Sequence, residues 1–358
     1  MKLLLVISFL VIGMFAKERV FVVERESSSI AVIDDLKLSN RIEGVHNMNH
    51  GVMKFRDSDA YLISRDGYVT KFSPKTLKIE AEYKTSKSAI GFVIGEDFVA
   101  VANYDDKSVD ILSRDLKPLQ KIITGSKNVG IKIYKDYLVF VQMDSDRLSV
   151  YKRDRSKKVG FRLFREFDKI GKMPFDAMIK DGNYICGFFL SKHFGVLNLK
   201  DMSYKKIKIT ANNNKPVLKV PHFGFWSISD DRVFIPAVGD NKVLVYTKDF
   251  KFVKNITVKG LPVFTSLSPN KKYLAVTFSG KDFPVIEIID TKSLEIIKQY
   301  KFDGKVLHVR WSKELPLLYV SVNSTNKVGL IDTTNWKIKG YIEGVKKPSG
   351  IFIYDLKR

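Results

Sequence analysis

Five histidines are the residues of this 358-residue chain with the clearest capacity for chemistry, because imidazole titrates near neutral pH and ligates metals. Four of them lie in or beside short loops that also contain lysines: His46, His50, His222 and His308, with Lys87, Lys127, Lys172, Lys305 and Lys347. Imidazole nitrogen can ligate a metal, and lysine pairs with carboxylates. This combination favours a ligand that carries both a metal and acidic groups.

Aromatic side chains stand among these cations: Phe175, Phe223, Phe225 and Phe264. Phenyl rings can cover the faces of a flat aromatic ligand. Arg65, in the turn S-R-D-G, is predicted with Lys172 and Lys347 to bind the carboxylates of that ligand. The alternative is a surface of solvated lysines, with histidines that only cap turns.

The net charge and the missing motifs argue against several classes of function. The formal net charge of +22 favours anionic partners, but the lysines are dispersed and form no basic arm, so nucleic acid is not expected. The chain has no G-x-S-x-G motif and no Walker loop. Cys186 is the single cysteine and is predicted to fill the core. With no C-x-x-C-H motif, no c-type haem is attached.

A repeated strand pattern must position these residues. Eight short apolar strands, each followed by a polar turn, recur 39 to 48 residues apart. Their last apolar residues are Ile33, Phe72, Leu112, Tyr151, Leu199, Tyr246, Ile289 and Ile331. A period of this length in an all-β pattern is typical of four-stranded propeller blades. The sequence therefore predicts an all-β, eight-bladed β-propeller.

The two chain ends are predicted to share one blade. V-F-V-V-E from Val20 to Glu24 has the place of a second strand, and G-I-F-I-Y-D from Gly350 to Asp355 that of an inner strand. Pairing them closes the ring and removes an open edge. In this arrangement the loops leading into the inner strands, and the turns between second and third strands, converge at the mouth of a central channel. The histidines, the lysines and Arg65 lie in these loops.

The first sixteen residues are predicted to be a signal peptide. Lys2 precedes an apolar run from Leu3 to Phe15, which is short for a membrane span, and Ala16 is a small residue suited to cleavage. Met14 at the −3 position is a poor match, which leaves the cleavage site open. The alternatives are an uncleaved anchor or a buried first strand. The expected organisation is a signal peptide at 1–16 and a propeller at 17–358, with no membrane span after cleavage.

Several short motifs resemble the haem d1-binding propeller family. They are V-V-E-R (22–25), R-D-G (65–67), A-I-G (89–91), V-A-V-A-N-Y (99–104), P-F-D-A (174–177), K-V-P-H (219–222), P-V-F (262–264), V-L-H (306–308) and K-P-S-G-I-F (347–352). The family includes the d1 domain of cytochrome cd1 nitrite reductase and, closer to this chain, a haem d1 biosynthesis branch.

The resemblance implies site roles. His50 matches the axial histidine of the haem iron, with His46 as the alternative, and His222 matches a distal histidine and is the candidate acid–base group. Where the reductases have a second distal histidine, this chain has P-V-F near Phe264. His308 and Phe264 are expected to contact the cofactor with Arg65, Lys172 and Lys347.

The missing distal histidine and the missing c-type haem both favour the biosynthesis branch. That branch implies a periplasmic protein that binds haem d1 or a d1-type precursor, an acidic tetrapyrrole, at a late step of its maturation. Other haem d1 assembly proteins or nitrite reductase are the expected protein partners. Whether the chain is itself an enzyme stays open. The alternative is a non-catalytic carrier or protein-interaction platform in the cell envelope.

Overall fold

Eight four-stranded antiparallel sheets form the molecule in the computed structural model, which describes residues 18–157, 159–209, 226–280 and 283–357. Blade 1 joins the two ends of the chain and contains β1 (Glu18–Glu24), β2 (Ser29–Asp34), β3 (Lys37–Ile42) and β32 (Pro348–Asp355). The predicted all-β propeller with eight blades is confirmed. The predicted signal peptide lies outside the described residues.

Blades 2 to 8 follow in chain order. Blades 2 to 4 are β4 (Val52–Arg56), β5 (Asp59–Ile63), β6 (Tyr68–Phe72), β7 (Ile79–Lys84); β8 (Ala89–Ile94), β9 (Phe98–Asn103), β10 (Ser108–Ser113), β11 (Pro118–Ile123); and β12 (Asn128–Tyr134), β13 (Tyr137–Gln142), β14 (Arg147–Arg153), β15 (Phe161–Phe167). Blades 5 and 6 are β16 (Pro174–Lys180), β17 (Asn183–Phe188), β18 (His193–Asn198), β19 (Ser203–Lys208); and β20 (Ser227–Ile228), β21 (Arg232–Ala237), β22 (Lys242–Thr247), β23 (Phe252–Thr257). Blades 7 and 8 are β24 (Leu261–Leu267), β25 (Tyr273–Ser279), β26 (Val285–Asp290), β27 (Ile296–Lys301); and β28 (Val306–Trp311), β29 (Leu317–Val322), β30 (Lys327–Asp332), β31 (Lys337–Glu343).

Side-chain burial separates the inner strands of each blade from the outer one. Second strands such as β9 (FVAVAN) and β29 (LLYVSV) are buried at every position, because neighbouring blades cover both faces. Fourth strands such as β19 (SYKKIK) are largely exposed and polar. The first strands contact one another around the axis, as β12 does with β8 and β16. The core is therefore a set of apolar layers between blades, around a channel lined by the first strands.

The shared blade closes the ring as predicted. Strand β1 pairs with β32 in antiparallel register, with Val20 opposite Ile353 and Val22 opposite Ile351. The Glu18 carboxylate then accepts a 2.5 Å hydrogen bond from the Ser312 hydroxyl of blade 8. Hydrogen bonds of both the backbone and side chains thus connect the chain termini to their neighbours.

One further prediction concerns the single cysteine. Cys186 is a free, buried cysteine in β17, where burial raises the pKa of its thiol, so its predicted place in the core is confirmed. Two short 3₁₀ turns, Met48–His50 and Asn323–Thr325, interrupt the strand pattern. Within the described ranges, no helix has the length and apolar character needed to cross a membrane.

Candidate ligand-binding site at the channel mouth

A capped 3₁₀ turn presents His50 at the mouth. Asn47 precedes this turn, and its side-chain oxygen accepts a 2.9 Å hydrogen bond from the backbone N–H of Asn49. Asparagine is a favoured cap because its side chain satisfies such a terminal donor. Met48 is buried beneath the turn, and the chain enters inner strand β4 after Gly51. The sequence V-H-N-M-N-H-G therefore fixes the backbone at the imidazole.

His50 is held neutral. Its Nε2 lies 3.3 Å from the carbonyl oxygen of Ile90, and since a carbonyl only accepts, Nε2 carries the proton and Nδ1 the lone pair. Burial lowers the pKa of His50 to about 4, and the positive charges of Arg65 and Arg25 act in the same direction. A neutral imidazole is the form that binds a metal.

Arg65 lies beside His50 in the turn between β5 and β6. Its backbone N–H donates to the carbonyl of Asn47 at 2.9 Å, which attaches this turn to the His50 turn. Its guanidinium donates to the Ser88 hydroxyl in the loop that leads into blade 3. Within the turn, the hydroxyl of Ser64 donates to Asp66 at 2.7 Å. Arg65 thus bridges the mouth loops of two blades.

Arg25 is a mouth residue to which the sequence analysis gave no role. It occupies the turn between second and third strands in blade 1, which is the position of Arg65 in blade 2. Its Nη2 donates to the carbonyl of Asn49 at 2.8 Å, and its backbone N–H donates to Lys347 at 3.2 Å. Burial lowers the pKa of its guanidinium. Equivalent placement with Arg65 in the repeat was the sequence signal that could have found it.

These residues form a continuous group in the loops of blades 1 and 2, which we call the cationic arc: Lys347, Arg25, His50 and Arg65. The structure therefore brings together three of the residues that were predicted from the sequence and adds Arg25. Guanidinium and ammonium groups pair with carboxylates, and a neutral imidazole is the protonation state that ligates metals.

Lys172 does not join the arc. It leads into blade 5, three blades from His50, and its Nζ forms a 2.6 Å ion pair with Asp146 while its side chain is 72% exposed. The loops at this place are connected by backbone bonds, including Leu190 N–H to the Lys172 carbonyl at 3.3 Å. Lys172 must leave Asp146, or share it, to bind another carboxylate.

His308 and Phe264 lie together on inner strands. Their ring centroids are 5.4 Å apart, and His308 Nδ1 accepts a 3.4 Å hydrogen bond from the backbone N–H of Ile351. Burial lowers the pKa of His308 to about 3, and Arg310 lowers it further in the same direction. This pair therefore belongs to the channel wall below the mouth loops.

Other predicted aromatic and imidazole groups contact neighbouring side chains or the backbone. Phe175 is 6% exposed and packs against Phe189 in the core, which corrects its expected place over a ligand. His46 stacks on Tyr68 with ring centroids 3.4 Å apart and lies 3.2 Å from a carboxylate oxygen of Glu82. The imidazole of His193 donates from Nε2 to a backbone carbonyl at 2.9 Å. His222, Phe223 and Phe225 lie outside the described residues.

Comparison with known proteins defines the family. The model of the family described as cytochrome D1 heme domain matches residues 16–355, and the chain therefore belongs to this family. It is 29% identical to Protein NirF of Pseudomonas aeruginosa over 354 residues, covering 92% of this chain and 89% of that protein. It is 28% identical to Protein NirF of Stutzerimonas stutzeri over 356 residues, with 92% and 90% covered.

A solved structure, dihydro-heme d1 dehydrogenase NirN in complex with DHE, has the same fold. The likeness covers 94% of this chain and 75% of that chain, with a TM-score of 0.80 and 20% sequence identity. At this identity the likeness shows the shared propeller architecture.

Proposed function

We propose that this chain is a periplasmic protein of haem d1 biosynthesis, which binds a d1-type tetrapyrrole at the mouth of its propeller and acts at a late step of the maturation of that tetrapyrrole. Membership of the cytochrome D1 heme domain family supports the ligand class. Similarity to two NirF proteins over most of their length supports the biosynthetic role. The apolar run from Leu3 to Phe15 supports export.

The observation that carries this proposal is the position of neutral His50 between Arg25 and Arg65. A d1-type haem, when bound, would supply an iron ion that an imidazole nitrogen can ligate. His50 is the proposed axial ligand. Arg65, Arg25 and Lys347 are the proposed carboxylate partners, joined by Lys172 if it exchanges Asp146 for the ligand. His308 and Phe264 are proposed to contact the ligand from the channel wall.

Catalysis requires a proton donor or acceptor near the ligand, and His222 is the proposed group. In the sequence His222 comes before blade 6, four blades after the blade that follows His50. One observation favours the alternative of a non-catalytic carrier. His50 and His308 have pKa values near 4 and 3, so neither supplies a proton at neutral pH. In a carrier, replacing His222 by Ala leaves ligand delivery unchanged; in an enzyme it abolishes turnover and keeps binding.

An absorption titration of the purified protein with haem d1, and in parallel with ordinary haem, tests the proposal. We expect a saturable change of the haem d1 absorption bands with one ligand bound per chain, and weaker binding of ordinary haem. Two variants are compared, His50→Ala at the proposed ligand and His193→Ala as the control. His193 bonds to a backbone carbonyl, so its loss should not change haem d1 binding. Absence of a saturable change with haem d1 would contradict the proposed ligand class.

A further inference from the structure

Charged side chains line the central channel below the mouth. Lys54 of β4, Lys132 of β12, Asp176 of β16 and Arg310 of β28 all belong to first strands. Each is deep within the fold and still partly accessible, as expected of groups that face a narrow channel. They are separate from the cationic arc, which lies in the loops above.

Among the described residues, the hydrogen-bond acceptors of these channel cations are backbone carbonyls. The Lys54 ammonium donates to the carbonyl of Phe92 and lies 5.0 Å from the centre of its ring. Lys132 donates to the carbonyl of Ile131 at 3.3 Å. Arg310 donates from Nε to the Ile351 carbonyl at 3.0 Å. In the described part of the chain, none of these three forms an ion pair.

Burial without ion pairs shifts the pKa values of Lys54, Lys132 and Asp176. Burial lowers the pKa of Lys54 to about 7, and the charge of Lys132 lowers it further. Burial also lowers the pKa of Lys132, against the opposing effect of Asp176. The pKa of Asp176 rises to about 6 because burial outweighs the attraction of Lys132. These four groups therefore comprise three cations and one carboxylate, and the two lysines repel each other.

Such an arrangement is costly without a counterion. A desolvated ammonium destabilises the fold strongly unless it is paired, as any buried ion does. An ammonium has three donors, and within the described residues Lys54 and Lys132 each donate to one backbone carbonyl, which leaves capacity for an anion. Asp176 and the lining carbonyl oxygens oppose a second negative charge, so a singly charged group fits best.

We propose that Lys54 and Lys132 bind a carboxylate group inside the central channel, with Arg310 contributing its positive charge from blade 8. Two kinds of molecule could provide this carboxylate. It is either a free small carboxylate or a carboxylate arm of the tetrapyrrole held at the mouth. The site itself goes beyond tetrapyrrole binding, since the ligand-free protein is expected to hold a free carboxylate.

Titration of ligand-free protein with ¹³C-labelled acetate, followed by NMR at pH 6 and low ionic strength, tests this site. We expect saturable binding of one acetate per chain and a melting temperature that rises with acetate concentration. Lys54→Met and Lys132→Met each remove one ammonium at similar volume, and each should weaken acetate binding about tenfold or more, the effect of losing one charge-assisted bond. Lys205→Met, on exposed outer strand β19, is the control and should bind acetate as the wild type does.

The stability of the variants gives a second readout. Without acetate, Lys54→Met and Lys132→Met should melt at or above the wild-type temperature, because each removes a buried charge that has no ion pair. Repeating the titration on haem d1-loaded protein distinguishes the sources. Retained acetate binding supports a free carboxylate, and its loss supports an arm of the tetrapyrrole.

Absence of saturable acetate binding in the ligand-free wild type overturns the site, as does equal binding by the wild type and both methionine variants. Neither result depends on haem d1. A failure of haem d1 to bind, in turn, leaves the acetate titration of the ligand-free protein as an independent test.

Discussion

Individual residues at the mouth differ in how well their contacts and exposure suit them to bind a ligand. Arg65 and Arg25 each have a guanidinium near His50 and bonds to neighbouring mouth loops, whereas Lys172 is exposed and already paired with Asp146. An exposed ion pair contributes under about 1 kcal/mol, and a partly buried charge-assisted bond about 1.5–3 kcal/mol. The arginines should therefore dominate carboxylate binding.

Replacing Arg65 by Ala should weaken haem d1 binding about tenfold or more, since one charge-assisted bond is lost. Equilibrium titration at low salt measures the affinity. Arg155→Ala is the matched control, because Arg155 is 75% exposed and pairs with Asp136 on the opposite face of the propeller. Equal affinities of the two variants would remove Arg65 from the site.

His308 should make stability depend on pH. Its pKa in the folded chain is lowered to about 3, so between pH 6.5 and 3 the unfolded chain binds a proton that the folded chain does not. The stability from neutral His308 is complete above pH 6.5 and is lost as the pH falls, by up to about 3 kcal/mol near pH 4.5. His308→Asn keeps an acceptor for the Ile351 N–H and cannot titrate there.

Urea unfolding of wild type and His308→Asn at pH 7 and pH 4.5 measures this difference. We expect the gap in unfolding free energy between the two proteins to narrow at pH 4.5. A gap that stays constant would show that His308 titrates alike in the folded and unfolded chains.

Residue roles were only partly predictable. His50, Arg65 and Lys347 were predicted to lie near one another because loops of one face must converge, and the structure brings them together. Arg25 was missed as a site residue although it has the equivalent turn position in blade 1. Lys54 and Lys132 were missed because a lysine that alternates with apolar residues in a strand is ordinarily solvent-facing. Only when the strands close around an axis do these lysines come to face a central channel.

At the scale of elements, the turn that carries Arg65 depends on Gly67. Its φ is +89°, and a Cβ placed there would lie 2.2 Å from the carbonyl oxygen of Ser86. Its carbonyl accepts a 2.9 Å bond from the backbone N–H of Thr85. The turn of blade 2 thus packs directly on the loop that leads into blade 3.

Gly67→Ala should destabilise the protein by roughly 2 kcal/mol or more and weaken haem d1 binding, because strain and a backbone clash displace Arg65 from Ser88. Gly125→Ala is the control. Its φ of +73° carries similar backbone strain, but nothing lies within 4 Å of the added Cβ. Urea unfolding and haem d1 titration measure both effects. Equal losses in the two variants would show that the contact with Ser86 is unimportant.

The strands were well predicted because a repeat of about 40 residues, with alternating apolar positions, constrains both their number and their order. The places of the loops between them followed from strand direction. The side-chain partners within those loops did not, since they depend on three-dimensional contacts such as Asn47 with Asn49 and Lys172 with Asp146.

At the scale of the whole molecule, ring closure through β32 holds the channel and its mouth together. This strand pairs with β1 and contributes Ile351 and Tyr354 to the core. It also provides Phe352, whose ring lies 6.3 Å from that of His308. The net charge of +22 adds a long-range field that attracts acidic ligands toward this closed surface.

A chain ending at Lys347 lacks β32 and should lose cooperative unfolding and associate, because it exposes the edge of β1 and an apolar layer. Gel filtration and urea unfolding measure this. A chain ending at Leu356 keeps the closing strand and is the control. A monomeric Lys347-terminated chain with the control's unfolding midpoint would show that closure is dispensable.

The central claim, a d1-type haem held by His50 at the mouth, is tested most directly by the absorption spectrum of haem d1 bound to His50→Ala. We predict altered absorption bands and lower affinity than in the wild type, because the iron–imidazole bond is lost, while His193→Ala keeps the wild-type spectrum. A wild-type spectrum in His50→Ala would contradict the account and favour His46 or an iron with no histidine ligand.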